Sequence, residues 1–280
     1  MDNITVKDHS VSGEEFQLVF DDVLEMYKTE PQPSLDKLPS YYQSEDYISH
    51  TDTKRNLFEK IYHWVRTYML SKKMALVDLH TNSDGKKVLD IGCGTGDFLA
   101  MAQKYNWNIS GVEPDAEARK IASEKTSIEI HDNNWLSKIS DDSFDAITMW
   151  HVLEHVPNLE EQIAMLKRIV KPTGSIFIAV PNFKSHDATH YKELWAAFDV
   201  PRHLWHFSQK SITELFSKEN MKVVKILPMK FDAYYVSLLS EKHKTGKMNP
   251  VKAFYRGFVS NFKAMNSSEY SSLIYVIKND

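Results

Sequence analysis

The segment 88–98 constrains the fold of this 280-residue chain more than any other. An apolar run at residues 88–91 leads into Gly92, Gly94 and Gly96, and a helical pattern begins at Asp97. Glycine tolerates positive φ and lets a ligand approach the main chain closely. A strand, a tight glycine loop and a helix in this order predict a ligand-binding turn at the end of a buried strand.

Strand and helix patterns alternate after this loop. Apolar runs predict strands, and helical periodicity predicts the intervening helices. The predicted strands are 107–112, 128–130, 144–150, 175–180, 222–227 and 272–277, and the helices after the loop are 114–125, 159–170 and 208–220. This alternation predicts an α/β fold, in which helices cover both faces of a largely parallel sheet.

Composition excludes several classes of protein. With 34 basic and 38 acidic residues the net charge is −4, so we expect no nucleic-acid partner. No apolar run is long enough to cross a bilayer, and the N-terminus lacks the basic start and apolar core of a signal peptide. The only cysteine, Cys93, cannot form an internal disulfide or a multi-cysteine zinc site. We therefore expect a cytoplasmic protein without membrane insertion.

Two acidic residues mark the ends of the first two strands. Asp90 precedes the glycines, and Glu113 follows the next strand, 21 positions after Gly92. A carboxylate at the tip of the second strand can accept hydrogen bonds from both hydroxyls of a ribose. The spacing G-x-G-x-G differs from the G-x-G-x-x-G of dinucleotide-binding proteins.

Residues 90–96, Glu113 and the strand opening at 144–147 together resemble the class I S-adenosylmethionine-dependent methyltransferases, in particular a broad bacterial family of them. The similarity covers about residues 53–228. It implies a Rossmann-like three-layer sandwich with seven strands in the order 3-2-1-4-5-7-6, in which the last strand, 272–277, is antiparallel. It also implies S-adenosylmethionine as methyl donor and S-adenosylhomocysteine as product.

The resemblance also implies a set of cofactor-binding residues. Asp90 and the loop backbone should hold the methionine part, Glu113 the ribose, and Asp132 the adenine amine. Trp150 and His151 should form the floor near the sulfonium, and Cys93 should be only a small loop residue. In chain order the set is Asp90, Gly92, Cys93, Gly94, Gly96, Glu113, Pro114, Asp132, Asn133, Trp150 and His151.

The string His151-x-x-Glu154-His155 admits several interpretations. It matches the H-x-x-E-H pattern of a zinc-protease class, but it follows a buried strand and closes at Pro157 instead of lying on a helix. Some methyltransferases carry E-x-x-E-H here and bind a divalent ion. Because His151 replaces the first glutamate of that pattern, we expect no metal.

Two further interpretations of these histidines stay open. A hydroxyl acceptor loses a proton as it is methylated, and histidine is a suitable base near neutral pH. His151, His155 and, further along, His203 are therefore candidate catalytic residues. Alternatively, His151 packs against the cofactor while Glu154 and His155 make structural hydrogen bonds.

Residues 181–207 form an insertion rich in histidine and aromatic side chains. Long insertions at the carboxyl edge of a parallel sheet tend to build the substrate pocket. We therefore predict that Tyr191, Arg202 and His203 face the substrate. Arg202 could bind a carboxylate or phosphate of the acceptor.

Residues 1–52 precede the methyltransferase domain, which we assign to 53–280. Related proteins often carry a zinc ribbon in this preface, but this chain lacks the cysteines, so we predict a small β unit without zinc. Tyr42, Tyr47 and His50 are predicted to fold over the cofactor as a lid.

The sequence thus predicts methyl transfer from S-adenosylmethionine to an oxygen or nitrogen of a small-molecule or glycan or lipid-precursor acceptor, by a monomer or homodimer. Two other functions remain: a nicotinamide-dependent oxidoreductase on the related doubly wound fold, and a non-catalytic binder that keeps the cofactor loop.

Overall fold

A computed structural model describes residues 1–34, 36–42, 57–81 and 85–280, with the backbone alone for 57–64. The strands are β1 Ile4–Lys7, β2 Glu15–Asp21, β3 Met26–Glu30, β4 Lys87–Ile91, β5 Asn108–Val112, β6 Phe144–Trp150, β7 Val170–Pro181, β8 Trp205–His206, β9 Met221–Pro228 and β10 Ser272–Asn279. The α-helices are α1 Leu57–His80, α2 Asp97–Lys104, α3 Ala116–Thr126, α4 Leu159–Ile169, α5 His186–Tyr191, α6 Gln209–Ser217, α7 Asp232–Thr245 and α8 Pro250–Ser267.

The main sheet has six strands in the order β5-β4-β6-β7-β10-β9. The first four are parallel to one another, and β10 is antiparallel to both of its neighbours. Strand β6 is buried along its length except at its last residue, as expected for a strand covered by helices on both faces. The Rossmann-like arrangement and the antiparallel last strand are confirmed.

The prediction of a seventh strand at 128–130 is wrong. Helix α3 ends at Ser127 in the left-handed conformation, and Asp132 already caps a 3-10 turn. Only four residues remain between them, and they form a single parallel bridge, from His131 to Val112. The missing strand stands first in the predicted order, and the other six strands follow that order.

The N-terminal extension and the 181–207 insertion form one unit. Strands β1, β2 and β3 make an antiparallel sheet that β8, from the insertion, completes through the pairing of Tyr27 with His206. Both parts also share a buried cluster that includes Leu18, Phe183 and Trp195. The two segments that the sequence analysis treats separately therefore support each other.

A buried ion network fixes this unit internally. Arg202, only 3% exposed, lies 3.0 Å from an Asp8 carboxylate oxygen and 2.7 Å from one of Asp199. Its Nη1 also donates to the Tyr41 carbonyl at 2.9 Å. The guanidinium thus ties the start of the chain to the insertion.

Helices α7 and α8 have no counterpart in the sequence prediction. They form a hairpin between β9 and β10, and small residues of α8 make the contact. A side chain at Gly257 would lie 2.9 Å from the Tyr234 backbone, so the helices approach closely only because this position is glycine. No helix in the described ranges is both long and apolar enough to span a membrane.

We expect Arg202→Ala to destabilise the fold strongly. The change leaves the Asp8 and Asp199 carboxylates without their cation, and breaking a buried pair costs about 3–5 kcal/mol. Urea unfolding followed by circular dichroism measures the loss. Lys28→Ala, which removes an exposed pair with Glu30, is the matched control and should cost less than about 1 kcal/mol. A similar small cost for Arg202→Ala would contradict the structural role.

Candidate active site

The candidate site lies where β4, β5 and β6 end. The carboxyl ends of adjacent parallel strands meet at one edge of a sheet, where α/β proteins bind ligands. Asp90, Glu113 and Trp150 come from these three strand ends. The structure therefore brings the predicted cofactor residues of three separate segments to one edge.

The glycine loop has the backbone that its sequence predicts. Gly92, Gly94 and Gly96 all have positive φ, at 69°, 53° and 78°. A Cβ at Gly92 would lie 2.5 Å from a Val152 methyl, whereas one at Gly94 would meet no atom of the described residues within 4 Å. The loop thus packs against the turn after β6 at Gly92 and leaves open space over Gly94, where a ligand can approach the backbone.

Asp90 is a buried acid at the end of β4. Its Oδ1 accepts a hydrogen bond from the Thr148 hydroxyl at 2.6 Å. Burial raises the pKa of Asp90 to about 7, although the Thr148 hydrogen bond and the nearby Lys73 ammonium oppose the shift. A ligand ammonium placed beside this carboxyl would favour its charged form.

Glu113 is held by the backbone. Its two oxygens accept hydrogen bonds from the Gly94 amide at 2.8 Å and the Asp115 amide at 3.0 Å. Burial raises the pKa of Glu113, which these hydrogen bonds partly offset. Each carboxylate oxygen keeps a further lone pair, so the orientation suits acceptance from ribose hydroxyls. The carbonyl of Pro114 is used locally, since it accepts from Arg119.

The remaining loop residues have simpler settings. The Cys93 thiol is buried, and burial raises its pKa, so it is no nucleophile. Asp132 and Asn133 are exposed at the start of the 3-10 turn, where the Asp132 carboxylate accepts from the Asn134 amide at 2.9 Å. They lie after the strand-like segment that pairs with β5, next to the Glu113 position.

Trp150, the predicted floor of the site, contacts a lysine that the sequence analysis missed. The Lys73 ammonium lies 4.4 Å from the centre of the Trp150 ring, and the Phe98 ring lies at 5.4 Å. The Trp150 Nε1 is buried and has no hydrogen-bond partner among the described residues. Burial lowers the pKa of Lys73. Its position beside Met74, on the buried face of α1, is the sequence signal that could have identified it.

His151 lies between two carboxylates. Its Nε2 is 3.1 Å from Asp232 and its Nδ1 is 3.4 Å from Glu154. Burial disfavours the imidazolium, but the two carboxylates prevail and raise the pKa of His151 to about 9. A histidine that keeps its proton at pH 7 is poorly suited to accept another, so His151 acts as a fixed cation. Asp232, at the start of α7, had no sequence signal.

Three potential metal-ligating residues meet beside His151. One ligand atom each of Glu154, His155 and His203 lies within 4.8 Å of the other two. The Glu154 side chain is 1% exposed, and neither oxygen makes a hydrogen bond within the described part of the chain. The 3.4 Å contact with His151 is therefore an ion pair without hydrogen-bond geometry. The metal hypothesis from the sequence groups His151 with Glu154 and His155, whereas in the structure the third residue of the group is His203.

Backbone carbonyls set the tautomers of both histidines. The Nδ1 of His155 lies 3.0 Å from the Arg202 carbonyl, and the Nδ1 of His203 lies 2.8 Å from the Ala197 carbonyl. Because a carbonyl only accepts, these two contacts require a hydrogen on each Nδ1. Burial and the neighbouring His203 lower the pKa of His155 to about 4, so its ring is neutral.

His203 belongs to the cluster with Glu154, and the other predicted substrate and lid residues divide into three groups. The Tyr42 hydroxyl contacts the His155 Nδ1 at 3.0 Å, which places it at the site. Tyr191 is buried and its hydroxyl bonds Glu241, so a substrate-facing role is not supported. The same correction applies to Arg202, whose guanidinium is engaged by Asp8 and Asp199. Tyr47 and His50 lie outside the described residues, so their predicted lid role stays a prediction.

Solved structures share this fold, and curated proteins match part of this sequence. A geranyl diphosphate C-methyltransferase from Streptomyces coelicolor A3(2) superposes with a TM-score of 0.53 at 14% identity, covering 75% of this chain and 76% of that one. A ubiquinone biosynthesis O-methyltransferase from Actinobacillus pleuropneumoniae is 36% identical over 110 residues, 35% of this chain and 47% of that relative. One from Thiobacillus denitrificans is 29% identical over 117 residues, 39% and 50%. The chain spans about half the length of these curated relatives.

A family model described as a methyltransferase domain matches residues 61–226, more than half of the chain. The matched range contains the glycine loop, Glu113 and the cluster of Glu154, His155 and His203. The chain therefore belongs to this methyltransferase domain family, among the class I S-adenosylmethionine-dependent methyltransferases that its sequence resembles.

Proposed function

We propose that this protein transfers the methyl group of S-adenosylmethionine to a hydroxyl oxygen of a small-molecule, glycan or lipid-precursor acceptor. The observation that carries the proposal is the cluster of Glu154, His155 and His203 beside the floor of the glycine-loop site. A carboxylate and two imidazole rings at this spacing are groups that can bind a cation or interact with a hydroxyl group. The curated O-methyltransferase relatives support oxygen over nitrogen as the methylated atom.

The cofactor would lie across the carboxyl ends of β4, β5 and β6. Asp90 would attract its ammonium, Glu113 would accept hydrogen bonds from its ribose hydroxyls, and Asp132 would contact the adenine. Trp150 would support it from below. These roles require an open surface over the loop backbone, and the free space above Gly94 meets this requirement.

The reaction places few demands on the protein. The acceptor oxygen attacks the sulfonium methyl in line, an O–C bond forms as the S–C bond breaks, and the sulfur keeps the electron pair. S-adenosylhomocysteine leaves, and the acceptor hydroxyl gives up its proton. The protein contributes mainly by aligning the two partners and excluding water.

Neither His151 nor His155 is well tuned as the base for that proton. A general base works best with a pKa near the working pH, whereas these two lie near 9 and near 4. A buried carboxylate with two imidazole rings is instead a donor set for a divalent transition metal. The carbonyls of Arg202 and Ala197 orient the histidines as second-layer partners of metal ligands do.

We therefore propose, against the expectation from sequence, that Glu154, His155 and His203 hold a divalent cation. A cation bound there would lower the pKa of a coordinated hydroxyl. His151, held by Asp232, would keep the Glu154 carboxylate in place through its ion pair.

A pH-dependent affinity for S-adenosylhomocysteine follows from the raised pKa of Asp90. The ligand ammonium needs the ionised carboxylate, whose fraction rises from about a tenth at pH 6 to about a half at pH 7. We expect calorimetry to show about fivefold tighter binding at pH 7 than at pH 6. Asp90→Asn keeps the partner of Thr148 but should bind more weakly and lose this pH dependence. An equal pH dependence in the variant would contradict the role.

Loss of the Glu113 carboxylate should weaken cofactor binding more than catalysis. Glu113→Ala removes the acceptors for the ribose hydroxyls, so we expect at least a tenfold weaker affinity for S-adenosylhomocysteine, at about 1.4 kcal/mol per factor of ten. Turnover at saturating S-adenosylmethionine should fall less. Glu117→Ala, at the exposed second residue of α3, is the control and should change neither.

The cation site predicts metal binding that does not depend on an assay of activity. After dialysis against EDTA, the protein should bind one Co²⁺ per chain, with visible absorption bands measured by spectrophotometry. Glu154→Gln and His155→Gln should weaken this binding at least tenfold, while His131→Gln, outside the cluster, should not change it. Thermal melting checks that each variant folds. Absence of Co²⁺ binding by the folded protein would leave the proton to a protein base and overturn the cation proposal.

A further inference from the structure

Helix α8 presents its large apolar side chains to solvent. A surface helix of a water-soluble domain normally turns such a face toward the core. Here six residues, each more than half exposed, form what we call the α8 apolar face. They are Val251, Phe254, Tyr255, Phe258, Phe262 and Met265, with exposures from 54% to 81%. Their spacing of three and four residues puts them on one side of the helix.

The opposite side of α8 fixes this orientation. Its buried residues are small, namely Ala253, Gly257, Ser260 and Ala264. Gly257 lies so close to Tyr234 that a Cβ would be 2.6 Å from the ring. The aromatic side cannot turn inward without opening this contact, so the exposure of the apolar face is built into the packing.

Basic residues border the apolar face. Lys252, Arg256 and Lys263 follow one another at steps of four and seven residues and therefore line one flank of the helix. The segment 241–267 contains six basic residues and a single acidic one, Glu241, which is buried and bonded to Tyr191. Because the whole chain carries a net charge of −4, this positive charge is a local concentration.

We propose that the α8 apolar face docks onto the surface of an anionic phospholipid membrane. A helix with aromatic residues on one side and lysine or arginine along the flank lies in the plane of the lipid headgroups, with its apolar side in the acyl boundary. Anionic headgroups attract the basic flank. A second copy of the chain would bring an identical basic flank to the same interface, and α8 offers no acidic residue to balance it.

The docking surface adjoins the candidate site. Asn261 of α8 donates a hydrogen bond to the carbonyl of Lys230 at 2.8 Å, and Asp232, two residues further on, contacts His151. A membrane bound at α8 would therefore lie beside the floor of the cleft. If the proposed methyl transfer holds, this placement favours a lipid-borne acceptor among the proposed classes. The docking itself does not depend on the methyl transfer.

Vesicle cosedimentation with the full chain tests the docking. The probes are large vesicles of phosphatidylcholine with 30% phosphatidylglycerol, and vesicles of phosphatidylcholine alone, both in 0.1 M NaCl. We expect at least tenfold stronger partitioning onto the anionic vesicles, and a marked loss in 1 M NaCl because salt screens the basic flank.

Two variants separate the apolar and the charged contributions. The double change Phe254→Ser and Phe262→Ser should weaken partitioning at least tenfold. The double change Lys252→Glu and Lys263→Glu should also weaken partitioning. Loss of one positive charge weakens binding about fivefold. Because these changes reverse two charges, the effect should be larger than that of removing two charges. Val23→Ser, at an exposed apolar position in the turn between β2 and β3, is the control and should leave partitioning unchanged.

Three outcomes would overturn the proposal. One is no association with the anionic vesicles, and another is association that both α8 variants retain. The third is a dimer in sedimentation velocity that the serine changes dissociate, without vesicle binding, which would assign the face to a second copy. Calorimetry of S-adenosylhomocysteine on the same preparations keeps this result distinct from a failure of the proposed function.

Discussion

The site depends on one buried charge, the Glu154 carboxylate. A carboxylate removed from water needs partners, because an isolated buried charge is very costly. His151 of the same turn forms an ion pair with it at 3.4 Å, and His155 of that turn and His203 of the insertion lie beside it. The insertion reaches this point because the Leu204 amide donates to the Glu154 carbonyl at 2.8 Å. The geometry around one side chain thus joins the turn after β6 to a distant part of the chain.

This dependence explains why the chain is longer than its sheet requires. His203 can reach Glu154 only if the insertion is rigid, and the insertion is held by Arg202, whose partners include Asp8 near the N-terminus. The extension therefore supports the insertion, because its strands complete a sheet with β8. Its residue Tyr42 also contacts His155 directly. The geometry of the cluster around Glu154 and the folding of the extension therefore depend on each other.

The sequence predicts the cofactor half of the site better than the acceptor half. The glycine loop, Asp90 and Glu113 lie at strand ends, so local pattern and sheet topology suffice to place them. Arg202 was expected to bind substrate because no local signal shows that Asp8, almost two hundred residues away, is its partner. Asp232 lies in a hairpin without a predicted element. The strand predicted at 128–130 is missing because the end of α3 and the following 3-10 turn leave only four residues between them. A short apolar run in the sequence does not reveal this limit.

The central claim is that the glycine-loop edge binds the methyl donor, and calorimetric titration of the purified wild-type chain with S-adenosylhomocysteine at pH 7 tests it most directly. We predict saturable binding of one molecule per chain, and no heat of binding from NADH under the same conditions. A folded protein that binds NADH, or that gives no heat with S-adenosylhomocysteine, would contradict the account and favour the oxidoreductase or the non-catalytic binder.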